Sequence, residues 1–140
     1  MSRALLDVNV LLALAWPNHQ HHALAHRWFA REASGGWATC AITGLAFVRL
    51  SSNPAYTASA VPPEEAATLL GTMTRHQHHR FWAELPAPAS EMFARARGHQ
   101  QVIDAYLVRL TQHHHGRIAT FDAPLRAHAS DASQVEVITP

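Results

Sequence analysis

The sequence contains no lysine and a single cysteine, Cys40, among its 140 residues. One thiol cannot close an internal disulfide, and no Cys/His spacing resembles a zinc site, so neither a disulfide framework nor a zinc module organises this chain. A reduced, cytoplasmic setting fits. Charge is scarce too: Asp, Glu, Lys and Arg make up 15%, and the formal charge of +1 lacks the basic excess by which composition alone marks a nucleic-acid binder. Its eleven cationic side chains are therefore all arginines, accompanied by twelve histidines. With Ala also abundant, the Arg count reads as a base-composition bias of the gene and not as a phosphate-binding set. Long hydrophobic runs are missing as well. The stretch Ala4–Trp16 is interrupted by Asp7 and Asn9, is too short to cross a bilayer and follows no basic segment with a cleavage site. The expectation is neither a signal peptide nor a membrane anchor.

What is present is a folding composition, 48% apolar over a length that suits one domain, residues 1–140. Arg3–Leu6 is a short apolar run ending at Asp7, and Val8–Ala15 continues in good helix formers until Pro17, which predicts a buried strand running into a helix. His19–Ala33 carries apolar residues at helical spacing and stops at Ser34-Gly35-Gly36. Trp37–Ile42 predicts a second strand, with Thr43 capping a helix through Leu50. A Ser- and Pro-rich loop leads to Pro63-Glu64-Glu65, where Pro and two acids suit the first turn of a helix through about Thr74. His76–Pro88 shows no decisive pattern. Ala89–Ala96 predicts a helix, and Gln100–His114 a stronger one, with Ile103, Leu107 and Leu110 on one face and Gly116 ending it. Arg117–Phe121 predicts a strand before Asp122, Ala123–His128 a short helical piece, and Gln134–Thr139 a last strand. This alternation implies an α/β domain, a three-layer α/β/α sandwich around a mostly parallel sheet.

In such a sheet, ligand-binding groups collect at the carboxyl ends of the strands. Asp7 and Asp122 each follow a predicted strand, and Asp104 lies in the opening turn of the helix that returns the chain to the strand before Asp122. Of four aspartates, only Asp131 falls outside this predicted crevice. Clustered carboxylates repel, and a hard divalent cation keeps them ionised together. Oxygen ligands favour Mg²⁺ or Mn²⁺, and either ion suits phosphodiester hydrolysis by activating water and neutralising charge on the phosphate. The plainer alternative is that Asp7 caps its helix and Asp104 favours the positive end of its own.

Three stretches carry a family resemblance: Leu5-Leu6-Asp7-Val8-Asn9-Val10-Leu11-Leu12, Asp104-Ala105-Tyr106-Leu107 and Ala119-Thr120-Phe121-Asp122. In order and spacing they resemble the PIN-domain ribonucleases, specifically the VapC-like toxins of bacterial toxin–antitoxin pairs, and Ile42–Leu50 is similar to the family's third helix. The resemblance implies a Mg²⁺-dependent endoribonuclease with Asp7, Asp104 and Asp122 as metal ligands and catalytic residues. Mn²⁺ is expected to substitute. It also implies an RNA substrate, a cognate VapB-like antitoxin that covers the acidic site, and a homodimer. One departure is Gly44, where many relatives place a Glu after the Thr, so a three-carboxylate site with one well-held ion is expected.

Asn9, two positions after Asp7, is a candidate partner for an acidic ligand or a metal-bound water, or else for backbone groups at the helix start. Thr120 is placed to orient a carboxylate, or to serve only as a strand residue. The runs His113-His114-His115 and His76, His78 and His79 are read as solvated in preference to metal ligands, and Arg49 as an ordinary surface residue in preference to a contact for substrate phosphate. Trp28, Phe29, Phe47, Phe81 and Trp82 are read as core or interface residues. Two other classes stay open: a catalytically inert metal-binding PIN domain acting through its antitoxin, and a nuclease directed at DNA. A phospho-acceptor receiver is disfavoured because it needs a lysine.

Overall fold

The computed structural model describes Ser2–Pro140. Five strands, β1 (Ala4–Leu6), β2 (Trp37–Cys40), β3 (His79–Trp82), β4 (Arg117–Thr120) and β5 (Val135–Val137), form one sheet in the order β3-β2-β1-β4-β5. All four neighbouring pairs are parallel. The chain therefore builds outward from β1 through β2 to β3, returns to the other side of β1 as β4, and ends in β5. The order reverses between β1 and β4, the place where an open parallel sheet leaves a crevice at its carboxyl edge.

The helices are α1 (Val8–Ala15), α2 (His22–Glu32), α3 (Ala41–Ser51), α4 (Pro63–Met73) and α5 (Val102–His113). Alternation along the strands sends side chains to opposite faces. Ala4, Leu6, Trp37 and Ala119 bury one face with Val10, Leu11, Trp28 and Phe47 from α1, α2 and α3. Leu5, Ala38, Cys40 and Ile118 bury the other with Tyr106, Leu107, Val108 and Leu110 of α5. The expected three-layer sandwich is thus present, with a wholly parallel sheet. Among the described residues no helix is long and apolar enough to cross a membrane.

Several local readings change. Thr43 does not head α3; Cys40 does, and Thr43 Oγ1 accepts from the Cys40 N–H at 3.3 Å and donates to the Cys40 carbonyl at 3.2 Å. Ala89–Ala96 forms only a 3₁₀ turn over Ser90–Phe93, because so short a segment between Pro88 and Gly98 cannot offset the cost of helix nucleation. Ile103 points outward at 52% exposure, and α5 buries Ala105, Tyr106, Leu107, Val108, Leu110 and Thr111 instead. The undecided region holds β3, an edge strand whose Arg80 and Phe81 are exposed, so no alternating pattern marks it.

The histidine runs are less solvated than expected. His76 Nδ1 accepts from Trp37 Nε1 at 3.2 Å, His79 Nε2 pairs with Thr39 Oγ1 at 2.8 Å, and His114 stacks on Trp82 at 4.4 Å. Of the aromatic set, Trp28, Phe47 and Trp82 are buried, while Phe81 is 57% exposed. Arg49 is exposed in the last turn of α3, away from the end that opens at the sheet edge.

Candidate metal centre

Asp7 leaves β1 and heads α1, its Oδ1 accepting from the Val8 N–H at 2.8 Å. The helix-capping alternative therefore holds for one carboxylate oxygen. The other, Oδ2, accepts from Thr120 Oγ1 at 2.8 Å, and the Asp7 N–H donates to the Ala119 carbonyl at 3.0 Å. These bonds stitch the ends of β1 and β4 together across the crevice. Thr120 Oγ1 also accepts from the Asp122 N–H at 3.0 Å and from Asn9 Nδ2 at 3.3 Å. Asn9 Oδ1 in turn accepts from the Phe121 N–H at 3.4 Å. Asn9 thus braces the Phe121 backbone and donates to the hydroxyl that holds Asp7, which is neither a bond to an acid nor one to the backbone at the start of α1.

β4 ends at Thr120, one residue earlier than expected, so Phe121 intervenes before Asp122. Asp122 is exposed, while Asp104, in the first turn of α5, is partly buried. All three carboxylates feel one another. Burial, chiefly, pushes the Asp7 carboxyl up from 3.8 to about 6, with Asp104 and Asp122 adding repulsion against the lowering effect of Thr120 and Val8. Asp104 is also raised, by burial first and Asp122 second. None of the three is ion-paired among the described residues.

Among the described residues no group of three or more His, Cys, Asp or Glu side chains is arranged closely enough to hold a metal ion. The acids sense one another's charge, and an oxygen-only donor set lacking a cationic partner fits a hard divalent ion. A Cβ at Gly44 would meet only Leu70, at 3.4 Å, so crowding does not forbid a side chain's first carbon there.

One neighbour of the site has no signal in the sequence. His21, at the start of α2, stacks on Phe121 at 4.6 Å, a pairing across a hundred positions that only folding creates. Asp131 stays apart, accepting from the Ser133 N–H at 2.8 Å in a terminal turn.

A parallel sheet with three aspartates converging where its strand order reverses is the arrangement of a PIN domain. The PIN-domain family model matches residues 4–130, and the chain belongs to that family. Within it the chain stands with the VapC proteins. It is 43% identical over 139 residues to Ribonuclease VapC39 of Mycobacterium tuberculosis (strain ATCC 25618 / H37Rv), covering 96% of this chain and 99% of that protein. Ribonuclease VapC38 of the same strain is 39% identical, covering 97% and 98%, and Ribonuclease VapC44 is 44% identical, covering 86% of each chain.

Proposed function

We propose that this PIN-domain ribonuclease is the toxin of a toxin–antitoxin pair, hydrolysing RNA phosphodiester bonds at a Mg²⁺ site formed by Asp7, Asp104 and Asp122. The observation that carries this reading is the meeting of three mutually repelling, unpaired carboxylates at the switch point of a parallel sheet. Its relatives' names, each a ribonuclease, support the same reaction class. The divalent ion, Mg²⁺ or Mn²⁺, supplies charge neutralisation at the phosphate and a more acidic bound water.

The chain's own residues supply the rest. Asp7, 6% exposed, is fixed by two hydrogen bonds to one orientation. Thr120 and Asn9 keep it there as the second layer of the site. Asp122 is exposed and open to a polymeric substrate. With Gly44 in place of a fourth acid, we read the site as holding one ion. The partners of this reading are an RNA substrate, a VapB-like antitoxin, and a second copy in a cytoplasmic homodimer, with residues 1–140 acting as one domain.

Folded Asp7→Asn and Asp122→Asn proteins are expected to lose RNA cleavage, as is the parent in excess EDTA; parental rates in either variant would sink the proposal. Sequencing the 5′ ends generated in cells after brief induction, beside an Asp104→Ala control, identifies the substrate and separates RNA from DNA as target. Gly44 and the open spacing of the acids favour one second reading, an inert domain acting through its antitoxin. That version binds Mn²⁺ by calorimetry and leaves cellular RNA uncut.

A further inference from the structure

A carboxylate cluster repels the polyanion it is meant to cut, so a nuclease of this kind needs cations beside its acids. Without lysine, only arginine serves. Two of the eleven are committed elsewhere: Arg3 donates to the carbonyls of Trp37 and His78, and Arg117 is buried against Glu136. Arg31 lies beside Glu32.

An open hollow of about 550 Å³ has walls that include Arg95, Arg97, Gln101 and Pro124. Gln101 stands three residues before Asp104, and Pro124 two after Asp122. The hollow is therefore walled by the same two segments that deliver two of the three acids. It shares Ala94 and Arg95 with a second hollow of about 210 Å³, lined further by Arg109, Gln112 and His128. In that second hollow, Glu91 lies 3.5 Å from Arg109 and offsets its charge. The hollow walled by Arg95 and Arg97 is consequently the more cationic of the two, while Ala105, next to Asp104, lines the other. Arg95 and Arg97 are both exposed; Arg95 Nη1 donates to the Ala129 carbonyl at 2.7 Å, which sets its direction, while Arg97 has no acidic partner among the described residues. His128 Nδ1, on the wall of the second hollow, is a buried side-chain nitrogen without a hydrogen-bond partner.

We propose that this trough holds the phosphate backbone of single-stranded RNA flanking the cleaved bond, with Arg95 and Arg97 as the phosphate contacts. The proposal rests on the ribonuclease reading above and adds where the strand lies. A guanidinium fork matches two phosphate oxygens at once, and such contacts fix register on the strand without reading sequence.

The test titrates the full chain into fluorescently labelled single-stranded RNA of randomised sequence, in EDTA, at several salt concentrations. Arg97→Gln is expected to weaken binding several-fold whatever the sequence, and to lower the slope of log K against log salt by about 0.7, with about twice that in Arg95→Gln/Arg97→Gln. Arg97→Lys restores most of the affinity, and Arg75→Gln, which removes the same charge between α4 and β3, leaves it at the parental value. Arg97→Gln carries the test should the Arg95 change unfold the Ala129 turn. Parental affinity and salt slope in Arg97→Gln, or an equal loss in Arg75→Gln, overturns the trough. Cleavage of cellular RNA with Mn²⁺ is measured alongside. A parent that cleaves while the variants bind unchanged overturns the trough alone, and a parent that neither binds nor cleaves RNA overturns the functional reading beneath it.

Discussion

Thr120 donates a 2.8 Å hydrogen bond to Asp7 across 113 positions of sequence, and the same hydroxyl receives the Asp122 N–H and the Asn9 amide. One oxygen thereby sets the orientation of a buried carboxylate and the start of the segment that carries a second. Thr120→Val keeps the shape and removes the hydroxyl. It is expected to weaken Mn²⁺ binding by about 10- to 100-fold, the usual effect of losing a group that orients a ligand, and to destabilise the fold by about 1–3 kcal/mol. Thr120→Ser should recover most of both. Calorimetry and urea denaturation give the two numbers.

Asp7 also makes stability depend on pH, in a direction opposite to that of an ion-paired acid. Its folded pKa, about 6, lies above the ordinary 3.8 chiefly because the group is buried. The native state therefore binds this proton more tightly than the unfolded chain, and ionisation destabilises it. In EDTA the protein should lose roughly 3 kcal/mol from this group as pH rises through that window. Asp7→Asn should flatten the slope and unfold at higher urea than the parent near neutral pH. A difference between the two proteins that does not vary with pH would count against the assignment.

Metal affinity should carry the same signature. A cation needs the ionised carboxylate, so Mn²⁺ binding is expected to weaken by about tenfold per pH unit below the Asp7 pKa, with protons released on binding. Calorimetry in buffers of different ionisation enthalpy reads the release directly.

Away from the site, Glu136 accepts from Arg117 Nε at 2.8 Å and from Trp28 Nε1 at 2.7 Å, joining β5 to β4 and α2. Arg117 is only 8% exposed, so Glu136→Ala strands a buried cation and should cost about 3 kcal/mol. An Arg117→Met/Glu136→Leu double substitution should cost less than Glu136→Ala alone, measured as a double-mutant cycle.

Gly116 is required for space. The left-handed residue after α5 is His115, at φ 55°, whereas a Cβ at 116 would lie 2.6 Å from the Arg3 carbonyl oxygen and 2.7 Å from the Trp82 ring. Gly116→Ala should lower stability by about 1–3 kcal/mol through overpacking, seen as a fall in Tm with the helix content kept.

Much of this molecule was legible in its sequence, because the signals were local. An apolar run stopped by Asp7, the Pro63-Glu64-Glu65 helix start and the strand before Asp122 each report on their own few residues, and their alternation was enough for a parallel α/β sandwich. The three aspartates could be assigned to one edge for the same reason. Elsewhere the local signal was weak or misleading. β3 escaped notice because an edge strand need not alternate, Thr43 looked like a cap while Cys40 held that place, and Ile103 fitted an apolar face that packing left outside.

That the chain's only cations beside histidine are arginines shows the division clearly. Composition fixed how many arginines there are and gave no reason to assign any of them to phosphate. Folding alone tied Arg3 and Arg117 into structural hydrogen bonds, set Arg95 and Arg97 around one hollow with Gln101 and Pro124, and brought Thr120 to Asp7. Those relations depend on which distant segments share a surface, and a sequence read residue by residue contains the period of each element but not the distances between them.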